Sequence, residues 1–129
     1  AIVQARMGSE RLPGKSLADV SGKPMLQHVV ERLQRSTLIT EVVIATSDHP
    51  RDRPIAALAT DLQIRPVLGR EDDVLARYAL AAWQASANVA VRVTGDCPLI
   101  DPDIVDETIE AYLDDPRCAY AANVIERTY

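Results

Sequence analysis

The sequence predicts an α/β fold: an open, mostly parallel sheet with helices on both faces, giving a three-layer αβα arrangement. Two observations predict it, and a third locates its working edge. Strand-like apolar runs alternate along the chain with segments of helical apolar spacing. The strand-like runs are continuous and β-branched rather than alternating, as in parallel strands covered on both sides. Polar clusters then follow three of the runs, at residues 6–15, 46–48 and 94–96. Open α/β sheets bind their ligands at such carboxyl ends of strands.

In order, residues 2–5 read as a first buried strand. Pro24 suits the first turn of a helix, and Met25, Leu26, Val29, Val30 and Leu33 share one helical face. Residues 42–46, Val-Val-Ile-Ala-Thr, form the second strand. A helix through residues 54–62 leads to a short strand at 64–68. Asp72 or Asp73 can start the next helix, which runs on through Leu75, Tyr78, Ala79, Ala82 and Trp83. Residues 89–94 are the fourth strand, and Asp101-Pro102 opens a helix carrying Ile104, Val105, Ile109, Tyr112 and Leu113. A last strand is expected at residues 119–124. The pattern contains no internal repeat, low-complexity tract or linker.

With 129 residues, 47% of them hydrophobic and 26% charged, the chain has the composition of one globular domain. A formal charge of −5 argues against non-specific nucleic-acid binding. Cys97 and Cys118 have neither metal-ligand spacing nor the density of a secreted scaffold, and read as reduced thiols in a cytoplasmic protein. No apolar run approaches the ~20 residues of a membrane span, and no membrane partner is expected. The chain opens inside a strand, so residues before Ala1 are expected.

Residues 5–16, Ala-Arg-Met-Gly-Ser-Glu-Arg-Leu-Pro-Gly-Lys-Ser, gather cations and glycines where the first strand ends. Such a place suits an anion, a polyphosphate above all. A phosphate loop of the Walker type is excluded, because it needs four residues between its first Gly and Gly-Lys-Ser. Here Gly8 and Gly14 enclose five, one of them Pro13, which has no N–H to offer. A dinucleotide fingerprint fails as well, since no Gly stands two residues after Gly8. What remains is a basic loop with Arg6, Arg11 and Lys15 as side-chain donors and Gly8-Ser9 as the close backbone approach. A solvated turn is the competing reading.

The run Thr94-Gly95-Asp96-Cys97-Pro98-Leu99-Ile100-Asp101 ends the fourth strand with an acid. Mg²⁺ takes one or two carboxylates together with substrate phosphates, so Asp96 facing the cationic loop could hold a metal–triphosphate pair. A turn or cap role for Asp96 stands beside that one. Asp101 and Asp103 read as helix-capping residues. Glu71-Asp72-Asp73 reads as complementing a helix dipole. Arg92 either reaches the site or pairs with an acid. His28 and His49 have no nucleophile near them in sequence. Tyr78 and Trp83 read as core or groove residues.

Taken together, Gln4 to Gly8, Ser9, Arg11 to Lys15, Gly22-Lys23-Pro24-Met25-Leu26, Ala45-Thr46-Ser47, Glu71 to Leu75, Arg77-Tyr78 and Thr94 to Asp101 closely resemble one family. It is the spore-coat polysaccharide cytidylyltransferases, related to the CMP-sugar synthetases for 3-deoxy-manno-octulosonate and acylneuraminate. The likeness extends to Asn123 and Arg127-Thr128-Tyr129. One departure is Thr94, where the related synthetases often carry an amide. The resemblance implies a nucleotide-diphosphosugar transferase fold, Rossmann-like and similar to a glycosyltransferase-A core. It implies that CMP moves from CTP to a sugar or sugar acid, with release of pyrophosphate. By that likeness Arg11 and Lys15 are the catalytic phosphate-binding pair. Ala5, Arg6, Gly8, Ser9 and Thr94 also contact the nucleotide, and Asp96 holds Mg²⁺. It further implies a homodimer and a nucleotide-binding portion, residues 1–129, of a domain that continues past Tyr129. The fragment is then expected to be catalytically incomplete by itself. A glycosyltransferase using a preformed nucleotide sugar, and a non-catalytic nucleotide- or sugar-binding module, are the rival readings.

Overall fold

The computed structural model describes residues 1–9 and 12–123. Strand β1 (Ile2–Gln4) is followed by a 3₁₀ turn (Lys15–Leu17) and a small hairpin, β2 (Asp19–Val20) and β3 (Lys23–Pro24). Helix α1 (Met25–Leu33) leads to β4 (Val43–Ser47), and a second 3₁₀ turn (Pro50–Asp52) runs into α2 (Arg53–Asp61). Then come β5 (Arg65–Gly69), α3 (Val74–Gln84), β6 (Arg92–Thr94) and α4 (Pro102–Asp114). The four longer-range strands pair in the order β5-β4-β1-β6, all parallel. The expected α/β sheet is therefore present, with β1 central.

Successive side chains of a strand point to opposite faces, and the two cores follow that alternation. In register, Val3 lies opposite Ile44 on one side and Val93 on the other. This face is buried under Leu26, Val29 and Leu33 of α1, Ile55 and Ala59 of α2, and Val105 and Ile109 of α4. Ile2, Val43, Ala45 and Val67 face the other way, against Ala81 and Tyr78 of α3. Helices thus cover both faces, three against one.

The helix starts follow side-chain chemistry. Asp73 accepts a hydrogen bond from the Ala76 N–H at 2.8 Å, and Asp101 accepts from Asp103 N–H at 2.9 Å with Pro102 in the first turn. Both satisfy donors that a helix N-terminus leaves open. Pro24 stands just before α1 and closes β3 as well.

Five points depart from the sequence reading. The hairpin was not anticipated; it turns on Ser21-Gly22, with φ of 54° and 88°, the pair of positive values that a tight two-residue β-turn demands. The fourth strand is Arg92–Thr94 rather than 89–94, although the Val91 carbonyl still accepts from Ile2 N–H at 2.8 Å. Residues 119–123 form no strand, and residue 124 lies outside the described residues. They instead border an apolar groove of about 1020 Å³ between β6 and α4, with Val93, Ile104 and Ile109 on its walls. Trp83 is exposed rather than in core or groove, whereas Tyr78 does pack on the sheet. Among the described residues Arg92 pairs with no acid, and it does not line the cleft at the ends of β1 and β6; its guanidinium lies 5.7 Å from the centre of the Tyr78 ring.

Leu26 is fully buried beneath the sheet. Leu26→Ala is expected to cost about 3 kcal/mol of unfolding free energy in denaturant titration, as buried leucine truncations do; a loss below about 1 kcal/mol would contradict this packing.

Candidate functional site

The chain's carboxyl-end polar clusters do not all reach the same place. Two of the three do. β1 ends at Gln4, β6 ends at Thr94, and they are hydrogen-bonded neighbours with Gln4 opposite Thr94. The loop after β1 and the turn after β6 therefore leave the sheet side by side. Between them is a cleft of about 480 Å³ lined by Gln4, Ala5, Arg6, Ser9, Lys15, Ser16, Thr94, Gly95 and Asp96. That volume falls within the range of small-ligand sites.

Gly95 makes this juxtaposition possible. Its N–H donates to the Gln4 carbonyl at 2.8 Å, and a Cβ added to it would lie 2.9 Å from that same oxygen. Only glycine allows β6 to turn this close to β1. The turn then delivers Asp96 opposite Lys15, and the Lys15 ammonium pairs with the Asp96 carboxylate across the cleft. The Lys15 ammonium first, and the Thr94 hydroxyl second, hold the Asp96 carboxyl below the usual carboxylate range, against the opposing pull of partial burial. The pair is partly solvated, with 24% and 39% of the two side chains exposed, so it is a screened interaction worth little to global stability.

The loop itself closes on one residue. The Met7 carbonyl accepts from Ser9 N–H at 2.9 Å and from Gly14 N–H at 3.0 Å. Leu12 N–H reaches the Ser9 hydroxyl at 3.4 Å, and the Gly14 carbonyl accepts from Leu17 N–H at 3.0 Å as the 3₁₀ turn begins. Among the described residues the N–H groups of Arg6 and Gly8 have no protein partner. They are backbone donors at the edge of a cationic cleft, which is the composition of an anion site.

Most of the sequence-named residues meet here: Ala5, Arg6, Ser9, Lys15, Thr94 and Asp96 line the cleft, and Gly8 sits in the loop above it. Arg11 lies outside the described residues. The second cluster is a correction. Thr46 and Ser47 are buried, and the Ser47 hydroxyl is taken up by the buried Asp52 carboxylate and the His49 N–H. Only Asp48 is exposed, and it is not among the cleft residues. Glu71-Asp72-Asp73 divides its duties: Glu71 pairs with Arg51, Asp72 with Arg70, and Asp73 caps α3. The His28 Nε2–H donates to the Val20 carbonyl at 2.7 Å, and the His49 Nδ1 accepts from Arg51 N–H at 3.2 Å. Both are local structural contacts.

Sequence reasoning passed over Asp52 and Arg51. Asp52 is completely buried, and Arg51 lays its guanidinium against Gly8, where an added Cβ would come within 2.8 Å of it. The available signal was the Ser47-Asp48-His49-Pro50-Arg51-Asp52 run itself, an acid and a base placed one turn beyond a strand end.

For a divalent metal, Asp96 is the only carboxylate on the cleft wall among the described residues. No group of three or more His, Cys, Asp or Glu gathers there or elsewhere in the described part as a metal cage. A single hard-oxygen donor beside a cationic loop fits an ion that takes its other ligands from phosphates and water, which is the habit of Mg²⁺.

Comparison with known proteins follows the same outline. A family model described as Cytidylyltransferase matches residues 1–127. The chain is 40% identical over 121 residues to a 3-deoxy-manno-octulosonate cytidylyltransferase of Pelobacter propionicus, covering 94% of this chain and 47% of that protein. It is 37% identical over 117 residues to the spore coat polysaccharide biosynthesis protein SpsF of Bacillus subtilis, covering 88% and 49%. Among solved structures it is similar to CMP:2-keto-3-deoxy-manno-octonic acid synthetase complexed with CTP. That match has a TM-score of 0.79 and 34% identity, over 90% of this chain and 47% of the other. The chain spans about half the length of the curated relatives it matches. Among the described residues no helix is long and apolar enough to cross a membrane.

Two measurements check the geometry. In Lys15→Ala the Asp96 carboxyl loses its largest stabilising partner, so its NMR titration midpoint should rise toward the ordinary aspartate value. In the unaltered protein the pair's contribution is complete above that value and is lost as pH falls through the depressed one. An unchanged midpoint would remove the pair. Gly95→Ala places a methyl against the Gln4 carbonyl and should displace Asp96, cutting ligand affinity at the cleft about tenfold or more in calorimetry, with the helical circular dichroism retained.

Proposed function

The chain belongs to the cytidylyltransferase family, and from that premise we propose that the protein transfers CMP from CTP to a sugar acid with release of pyrophosphate. The acceptor class is the one named for the relatives, 3-deoxy-manno-octulosonate or a similar sugar acid of surface or spore-coat polysaccharide. The observation that carries this reading is the cleft at the ends of β1 and β6, where the Lys15 ammonium and the Asp96 carboxylate face each other beside loop N–H groups that have no partner among the described residues.

In this reading an acceptor hydroxyl attacks the α-phosphorus of CTP in line. The new P–O bond forms as the bond to the bridging α–β oxygen breaks, and that oxygen leaves with the pyrophosphate. Lys15, together with Arg11, offsets the negative charge that grows on the leaving group. The N–H groups of Arg6 and Gly8 and the hydroxyl of Ser9 orient the phosphates, while Ala5 and Thr94 border the nucleoside. Asp96 would hold Mg²⁺, which supplies charge neutralisation and orientation at the phosphates when bound. Little covalent work falls to the protein; positioning carries the rate. CTP binding must draw Lys15 off Asp96, because one ammonium cannot neutralise both the carboxylate and the phosphates at full strength. The rest of the reading is a cytoplasmic enzyme with no nucleic-acid or membrane partner, in line with its net charge of −5. The family likeness adds a homodimer.

The intact protein is expected to release pyrophosphate from CTP, in preference to UTP, ATP and GTP, when 3-deoxy-manno-octulosonate is supplied with Mg²⁺. Lys15→Ala should lower kcat/KM about 10²–10³-fold, the usual consequence of losing one electrostatic donor. Undiminished turnover in that variant would sink the assignment, and turnover only with a preformed nucleotide sugar would move the protein to glycosyl transfer.

A further inference from the structure

A carboxylate sits beneath the anion loop, fully buried, and no step of the transfer uses it. Asp52 closes the 3₁₀ turn before α2 and is 0% exposed. Its Oδ1 accepts from the Met7 N–H at 2.7 Å, across 45 residues of sequence. Its Oδ2 accepts from the Ser47 hydroxyl, and that hydroxyl in turn accepts from His49 N–H at 3.2 Å. Both carboxylate oxygens are thus committed, one to the loop and one to the end of β4.

We propose that Asp52 is the positioning residue of the anion loop: by holding the Met7 N–H it fixes the Arg6–Met7 peptide, and with it the course of the loop that carries the Arg6 and Gly8 N–H groups. The inference rests on the reading of this loop as the CTP phosphate site. A peptide is planar, so its N–H and C=O point in opposite directions. With Met7 N–H turned down onto Asp52, the Arg6 carbonyl is turned to the side of Ser16, whose hydroxyl lies 3.5 Å away. A flipped peptide would leave the Met7 N–H without its buried partner and bring the Arg6 carbonyl against the Asp52 carboxylate, a repulsion that keeps the loop in its observed orientation. Met7 is also the point on which the loop closes, since its carbonyl receives the N–H groups of both Ser9 and Gly14. Holding its amide therefore holds the loop's two arms. The carboxylate's own charge is accommodated at the start of α2, where the helix dipole favours an anion. Arg51, the residue before it, carries its guanidinium onto Gly8 and completes the brace by pairing with Glu71.

The test combines amide hydrogen exchange with CTP titration in the intact protein. In Asp52→Ala, exchange at Met7 should accelerate at least tenfold relative to the core amide of Ile44, and the Kd for CTP should rise about tenfold, since a buried donor is left without its partner. Asp52→Asn keeps an acceptor for Met7 N–H and can reverse the bond with the Ser47 hydroxyl, so it should restore both readouts to within about threefold. Ile55→Val, a core change in α2 away from the loop, should move Met7 and Ile44 together and leave CTP affinity unchanged. Selective exposure of Met7 with rescue by asparagine supports the proposal. Met7 protection that follows Ile44 in Asp52→Ala, or CTP affinity unaltered there, overturns it. If Asp52→Ala does not fold, Ser47→Ala carries the test, with a smaller but selective loosening at Met7 expected and unchanged protection overturning. A wild-type protein that binds no CTP would refute the functional reading alone, because the Met7 amide still reports whether Asp52 orients the loop.

Discussion

The pairing of β1 with β4 on one side and β6 on the other is the constraint from which the rest of this structure follows. Because all three run in the same direction, their carboxyl ends finish together at one edge of the sheet. The short β1, three residues long, leaves no room for slippage: Val3 must meet Ile44 and Val93 to stay in the core. Register in turn sets Gln4 against Thr94, and so places the basic loop beside Gly95 and Asp96. The core and the cleft are consequences of the same ladder.

Electrostatics divides labour within that edge. An acidic protein keeps its few site cations close to specific acids: Lys15 to Asp96, Arg51 to Glu71, Arg70 to Asp72. The outer pairs are exposed and contribute modestly. What distinguishes Lys15–Asp96 is its setting in a concave cleft between two strand ends; in the proposed function a polyanion would compete there for the ammonium and its cation for the carboxylate. The buried layer beneath works differently. Arg77, almost wholly buried, donates to the carbonyls of Arg70 and Glu71, and Asp52 receives Met7 and Ser47. These groups touch backbone, and they fix where the exposed loops go.

How much of this was legible in the sequence depends on whether a residue's role is local. Helix starts at Asp73 and Asp101 were readable because capping involves neighbours two or three positions away. The alternation of strands and helices was readable because both faces of a parallel sheet must be covered, which makes its strands apolar throughout. Asp96 and Lys15 were readable as candidates, since their residue types sit at strand ends. Their direct pairing, across 81 residues, was not. Thr46 and Ser47 misled because they occupy a strand end yet are buried there, the Ser47 hydroxyl being committed to Asp52. The segment 119–123, Ala-Tyr-Ala-Ala-Asn, reads as a strand by its place in the alternation, yet its residues form no ladder and border the groove beside β6 and α4. Asp52 escaped notice because a lone acid in a loop usually faces water, and only the fold shows that this one faces a peptide.

The sheet pairs residues far apart in sequence: Ile2 with Val43, and again with Arg92. Such long-range parallel pairing closes large loops before it returns any stability, and folding slows accordingly. Read as a timetable, the order of synthesis and the order of assembly run opposite ways. The basic loop is made well before β6, so its cleft has no second wall until the chain has passed Asp96. Until then the loop is a cluster of positive charge without its facing acid, and the closing of β6 against β1 is the event that brings Asp96 to it.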